Sequence, residues 1–155
     1  MSDEPTFDLV SANRYFAAEC FNSAWSMMDK SPRTHAEDEQ MLLRAFASFF
    51  HRTQRPDCSA ENRSISLWHI SRVYALLNQP ENALRYGEQC LAESQAANLP
   101  PFYVGYAYEA LSRAEMVAHH RARMQSYLKL ARATAQQVTE AEDQQALLND
   151  LETIR

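Results

Sequence analysis

Arg72 and Arg113 stand 41 residues apart, and each has an aromatic ring within two helical turns before it: Trp68 ahead of Arg72 and Tyr106 ahead of Arg113. Lys30 precedes Arg72 by 42 residues, and Glu109 precedes Arg113 by four. A guanidinium presents a planar fork that grips a carboxylate or phosphate at two points, and rigid rings supply contact area. If Lys30, Trp68, Arg72, Tyr106, Glu109 and Arg113 share one surface, that surface is an anion-and-aromatic binding site. Two plainer readings compete with it. Glu109 and Arg113 at i,i+4 can neutralise each other as an exposed helical pair worth about 0.3–0.5 kcal/mol, and Trp68 can close a core.

Other chemistry finds less support. His119 and His120 are adjacent on a turn and point apart, and His35 with Glu39 supplies only two ligands. Structural zinc takes four ligands, and a di-iron bundle repeats Glu-x-x-His, which is absent from this chain. His51 and His69, beside Phe50 and Trp68, read as hydrogen-bonded boundary residues. There is no Gly-x-Ser-x-Gly, and two glycines cannot build a phosphate-cradling loop. Cys58 has Asp57 beside it, and an acidic neighbour raises a thiol pKa rather than activating it. No catalytic residue, metal or cofactor is expected, and an enzyme is the last choice.

The elements that must hold these residues are helices. The 155 residues include 23 Ala and 15 Leu against 8 Val plus Ile, with glycine only at 87 and 105. Alanine and leucine cost little in a helix, whereas sheets use β-branched residues and turn glycines. A chain of this length buries roughly 70% of its unfolded surface, which suits a single domain over 1–155. The formal charge of -5 is spread as a slightly basic centre between acidic ends, unlike the clustered basic face of a nucleic-acid binder. Three cysteines without CxxC spacing, no secretory signal and no apolar run of the ~20 residues needed to span a membrane favour the cytoplasm.

The apolar spacing predicts helices over about Leu9–Asp29, Thr34–Arg52, Ala60–Leu77, Pro80–Ala97, Phe102–Ala118 and Arg121–Val138, then a last one carrying Leu147, Leu148, Leu151 and Ile154. Ser31-Pro32, Asn78-Gln79-Pro80 and Asn98-Leu99-Pro100-Pro101 punctuate them. Glu37, Asp38 and Glu39 suit the positive start of the second helix. Thr139-Glu140-Ala141-Glu142 reads as a capping box opening the last.

The central stretch is written twice. At an offset of 41, Leu67 falls on Tyr108, Ile70 on Leu111, Ser71 on Ser112, Ala83 on Met124 and Cys90 on Ala131. One helical hairpin cannot bury its apolar face alone, so such repetition signals stacking. These residues, with Tyr74, resemble the tetratricopeptide repeat; a fainter copy reads Trp25, Met28, Met41 and Ser48. The chain departs from that family in its longer helices, in Glu115 where an aromatic is usual, in Met124 for a small alanine, and in His119 for a turn glycine. It is similar also to stand-alone bacterial repeat proteins.

The resemblance implies an all-α fold: antiparallel pairs at 9–52, 60–97 and 102–138, stacked as a short right-handed superhelix and capped by a seventh helix at 140–155. It also implies that the first helix of each pair lines a concave face. Ile65, Trp68, Arg72 and Leu76 would face that groove from the third helix, and Tyr106, Glu109, Arg113 and Val117 from the fifth. The expected function is non-catalytic recognition of a peptide or protein partner there. The alternatives are a small-molecule or anion sensor with a pocket around Trp68, Arg72, Tyr106 and Arg113, and a homodimer that buries the last helix or the groove. Neither nucleic acid nor membrane is expected as a partner.

Overall fold

A computed structural model describes residues 6–155. Its elements are α1 (Leu9–Met28), α2 (His35–Thr53), α3 (Ala60–Leu76), α4 (Pro80–Ala96), α5 (Pro101–Val117), α6 (Arg121–Ala135) and α7 (Ala141–Leu151), with no strand among the described residues. The chain divides into two compact units, one ending at Ser59 and holding α1 and α2, the other Ala60–Arg155 holding α3 to α7.

In the N-terminal unit, α1 is started by Asp8, whose carboxylate accepts from the backbone N–H groups of Val10 and Ser11, each at 3.1 Å. The start of α2 is a reciprocal cap: the Glu37 N–H donates to Thr34 Oγ1 at 3.2 Å and the Thr34 N–H to Glu37 Oε2 at 2.8 Å. Each bond satisfies a donor that the first helical turn leaves without a carbonyl. The two helices pack on each other through small residues, Ala17, Ala24 and Ala45, with Met28 and Met41 between them. Ser48 donates across the pair to the Ala17 carbonyl at 2.7 Å.

The C-terminal unit is built from consecutive pairs, α3 with α4 and α5 with α6; α5 also packs on α3 and α4, and α7 lies against α5 and α6. Its period is set at the turns. Asn78, Asn98 and His119 have φ of 54°, 50° and 59°, the left-handed conformation that ends a helix. After each, the next N–H reaches back five residues: Gln79 to Tyr74 O at 2.9 Å, Leu99 to Ser94 O at 2.9 Å, His120 to Glu115 O at 3.0 Å. Asparagine tolerates this region better than most residues. His119 takes the conformation usually left to glycine, beside a His120 ring that is hydrogen-bonded to Glu115 at 2.8 Å.

The 41-residue offset is a repeated interaction as well as a repeated pattern. Ser71 Oγ donates to the Ala83 carbonyl at 2.8 Å, and Ser112 Oγ donates to the Met124 carbonyl at 2.9 Å. Both serines are buried, as are Ile70 and Leu111 beside them and Cys90 and Ala131 on the return helices. Where the first copy stacks Tyr74 on Tyr86 at 5.6 Å, the second has buried Glu115, satisfied by His120 and by Arg123 at 3.8 Å.

One local expectation fails. Thr139 does not cap α7; the helix begins one residue later with Glu140 at its N-cap and no side-chain cap bond. Gln144 ties the turn instead, its amide donating to the carbonyls of Ala135 at 2.9 Å and Val138 at 3.3 Å. Leu147, Leu151 and Ile154 then close a core with Met124, Leu128, Ala131 and Ala135.

α7 packs closely on α5 at Gly105, where a built Cβ would lie 2.5 Å from Leu147 Cδ2; at Gly87 the nearest atom, Leu111 Cδ2, would be 3.0 Å away. Alanine gains up to about 1 kcal/mol of helix propensity over glycine, whereas overpacking a core costs about 1–3 kcal/mol. Gly105→Ala is therefore expected to lower stability to urea by about 1 kcal/mol, with Gly87→Ala closer to neutral. A Gly105→Ala protein more stable than the parent contradicts this packing of α7.

Candidate functional site

The face shared by α3, α5 and α7 brings together five of the six residues singled out in the sequence, around one carboxylate. Glu109 on α5 is fully buried. Its Oε2 accepts the Trp68 indole N–H at 2.8 Å, and its Oε1 accepts from Arg72 at 3.0 Å and from Arg113 Nε at 2.6 Å. Helical spacing explains the convergence: Trp68 and Arg72 lie one turn apart on α3, as do Glu109 and Arg113 on α5. An ionised carboxylate with no access to water needs partners of this kind, because an unpaired buried charge is strongly unfavourable.

A second carboxylate completes the network from α7. Asp150 accepts from Arg72 at 3.2 Å on Oδ1 and from the Tyr106 hydroxyl at 3.0 Å on Oδ2. Arg113 continues past Glu109 to the Asp150 carbonyl at 3.2 Å and to Thr153 Oγ1 at 2.7 Å. Two guanidiniums thus face two carboxylates. Burial first, then the Asp150 charge and its hydrogen bond, push the Tyr106 phenol above its ordinary pKa, so Tyr106 stays a neutral donor.

Neither arginine is an open cation: Arg72 keeps 16% of its side chain exposed and Arg113 11%. The chain's own acids occupy the fork that an external anion would need. Glu109 and Arg113 do pair at i,i+4, but within this buried network rather than on an exposed helix face. Lys30 belongs to the N-terminal unit, where its ammonium pairs with Glu37. That bond, ahead of one from the Thr34 backbone, holds the Glu37 carboxyl down to about 2.

Beside the network is a cavity of about 180 Å³ lined by Ser64, Ile65, Trp68, Phe102, Tyr103 and Tyr106. Trp68 and Tyr106 point their polar tips into the network and their ring carbons toward the cavity wall. The ring centroids of Trp68 and Tyr106 are 5.0 Å apart with planes at 70°, a separation and angle that Phe102 and Tyr106 repeat. Ser64 is turned away from the space, bonded to Ser94 Oγ at 2.8 Å and near Cys90 Sγ at 3.5 Å. Phe102, Tyr103 and Asp150 had not been singled out. Phe102 and Tyr103 precede Tyr106 by four and three residues, so extending the α5 face back one turn would have included them. Asp150 sits next to Leu151 in a helix read only for its cap and its apolar residues.

The histidines and acids weighed as metal ligands or as neighbours of a nucleophile have partners within their own unit. Among the described residues no group of three or more His, Cys, Asp or Glu could hold a metal ion. His51 bonds Asn13 at 2.8 Å, and His35 meets Glu39 at 3.3 Å on an exposed surface. Asp57 is held by Arg55 through bonds of 2.9 and 2.8 Å. Burial pushes the Cys90 thiol up to about 11. In comparisons with family models, with curated proteins and with solved structures, none matches the chain.

Two outcomes follow from these partners. Glu109→Gln leaves two guanidiniums facing a neutral amide and is expected to cost about 3 kcal/mol or more in urea unfolding, since breaking a buried ion pair costs about 3–5 kcal/mol; a loss below about 1 kcal/mol contradicts the network. Iodoacetamide near pH 8 is expected to label Cys20 and Cys58, which are partly exposed, while Cys90 reacts only after unfolding. Equal labelling of all three thiols in the folded protein contradicts the burial of Cys90.

Proposed function

We propose that the protein is a non-catalytic, tetratricopeptide-like binding module that captures one compact anchor group of a protein or peptide partner in the pocket between α3 and α5. The observation that carries this reading is the pocket's size and lining. At about 180 Å³ it is smaller than the roughly 300–1,000 Å³ of ordinary small-molecule sites. It is near the size of an engineered cavity of about 150 Å³ that admits benzene. A space for one ring or one branched alkyl group suits a single side chain offered by a larger partner.

The rest of the face supports an anchor rather than an anion. Both arginines are engaged by Glu109 and Asp150, so an incoming phosphate or carboxylate would have to displace an acid already desolvated in place. Ring-lined pockets held by rigid surroundings are where interface energy concentrates. The helical-repeat resemblance implies binding on this same face, and three free cysteines accord with a reducing compartment such as the cytoplasm.

Filling the pocket tests the reading. Peptides selected from a random library on the parent protein are expected to share an apolar or aromatic-seeking anchor, and to bind Ile65→Trp about tenfold or more weakly, a loss of ~1.4 kcal/mol, while helical circular dichroism is unchanged. Selected peptides that bind parent and Ile65→Trp with equal affinity place recognition elsewhere and overturn the proposal.

A further inference from the structure

Four of the six residues around the pocket are aromatic, and their rings form walls rather than a stack. Trp68 and Tyr106 meet at 70°, Phe102 and Tyr106 at 70°, and Phe102 and Tyr103 at 88° with centroids 5.4 Å apart. Each ring face carries negative charge and attracts a cation held within about 6 Å of its centroid. A simple apolar anchor needs only greasy walls, which leucine and valine supply equally well. Aromatic walls set at steep angles offer several electron-rich surfaces to one small guest.

The groups behind the walls strengthen that field. Trp68 donates its indole N–H to Glu109, and Tyr106 its hydroxyl to Asp150. A donor bonded to a carboxylate leaves its ring more electron-rich, so buried Glu109 and half-buried Asp150 act on the cavity through the rings. Acids also stand near the rim. Glu61 lies on α3 one turn before Ser64 and Ile65, on the same helix face. Burial first, then the charges of Glu61 and Asp143, raise the Tyr103 phenol pKa. Arg72 lies 5.8 Å from the Trp68 centroid, and its charge is answered by Glu109 and Asp150. The positive charges of Arg72 and Arg113 are thus spent on Glu109 and Asp150 rather than on the cavity.

We propose that the pocket is an aromatic box for a methylated ammonium group, of the kind found on choline and on trimethyllysine. Such a group has an apolar surface of methyls and a diffuse positive charge, so it leaves water far more easily than the compact, strongly hydrated ammonium of unmodified lysine. Its bulk is close to that of the benzene ring that a cavity of about 150 Å³ accepts. The proposal rests on the reading of this pocket as the binding site and adds the chemistry of the anchor.

Titration calorimetry on the full chain separates the possibilities. The probes are choline, its uncharged isostere 3,3-dimethyl-1-butanol, and one peptide carrying either lysine or trimethyllysine. Choline is expected to bind at least about tenfold more tightly than the alcohol, and the trimethylated peptide at least about tenfold more tightly than the unmodified one. Tyr103→Leu and Phe102→Leu, each checked for unchanged helical content, are expected to erase most of that preference. A trimethylated peptide that outbinds choline puts the onium group on a protein; choline binding more tightly assigns it to a free small cation, which keeps the box and removes the protein-anchor reading. Equal binding of choline and the alcohol overturns the cation box while leaving an apolar anchor site intact. No saturable binding of choline or of either peptide also overturns it.

Discussion

The C-terminal unit depends on keeping one negative charge, that of Glu109, out of water. A carboxylate at that depth is tolerable only while every side of it is answered. Trp68, Arg72 and Arg113 answer it from α3 and from its own helix. The two arginines import two positive charges, and these draw in Asp150 and the carbonyl end of α7. The electrostatic demand of a single side chain thus fixes where α3, α5 and α7 meet. Apolar packing of Leu147, Leu151 and Ile154 supplies the contact area, but apolar contact is not directional. The network supplies the register and sets the rings of Trp68 and Tyr106 at the angle that leaves a cavity beside them.

The repeat supplies the frame on which this can happen. Left-handed turns at Asn78, Asn98 and His119 close one helix and open the next every 20 or 21 residues, and two such steps give the 41-residue period. That period carries Trp68 onto Glu109 and Arg72 onto Arg113, positions equivalent by repeat that face one another across the α3–α5 contact. Of these equivalent positions Trp68 is the donor and Glu109 the acceptor, and Glu109 also accepts from both arginines, which closes the set of bonds.

Much of the architecture was legible because it rests on local rules. Pro80 at a first helical turn, asparagine in the turns before α4 and α5, and the serine pair at 71 and 112 signalled boundaries and pairing that the fold retains. The convergence of Trp68, Arg72, Tyr106, Glu109 and Arg113 was legible from helical spacing as well. Their state was not. Spacing shows which residues share a face but not what lies over it, and Asp150, which joins Glu109 in holding Arg72 and whose carbonyl accepts from Arg113, is dozens of residues away in sequence. The Thr139 motif misled for a related reason: a capping sequence states a local preference, and Gln144, bonding back to Ala135 and Val138, fixes that turn by a longer reach. Phe102 and Tyr103, sitting directly after two prolines, read as the entry to a helix rather than as the wall of a site.

The meeting of α3 with α5 rests on the indole N–H of Trp68 being held by a buried carboxylate. Hydrogen exchange at that nitrogen, followed by nitrogen-15 NMR with the indole signals assigned by Trp25→Phe, reads this bond directly. The Trp68 indole proton is expected to exchange slower than a free indole by on the order of 100-fold or more, and to lose this protection in Glu109→Gln. An indole proton exchanging at the rate of an exposed tryptophan, or one whose protection survives Glu109→Gln, would contradict this bond.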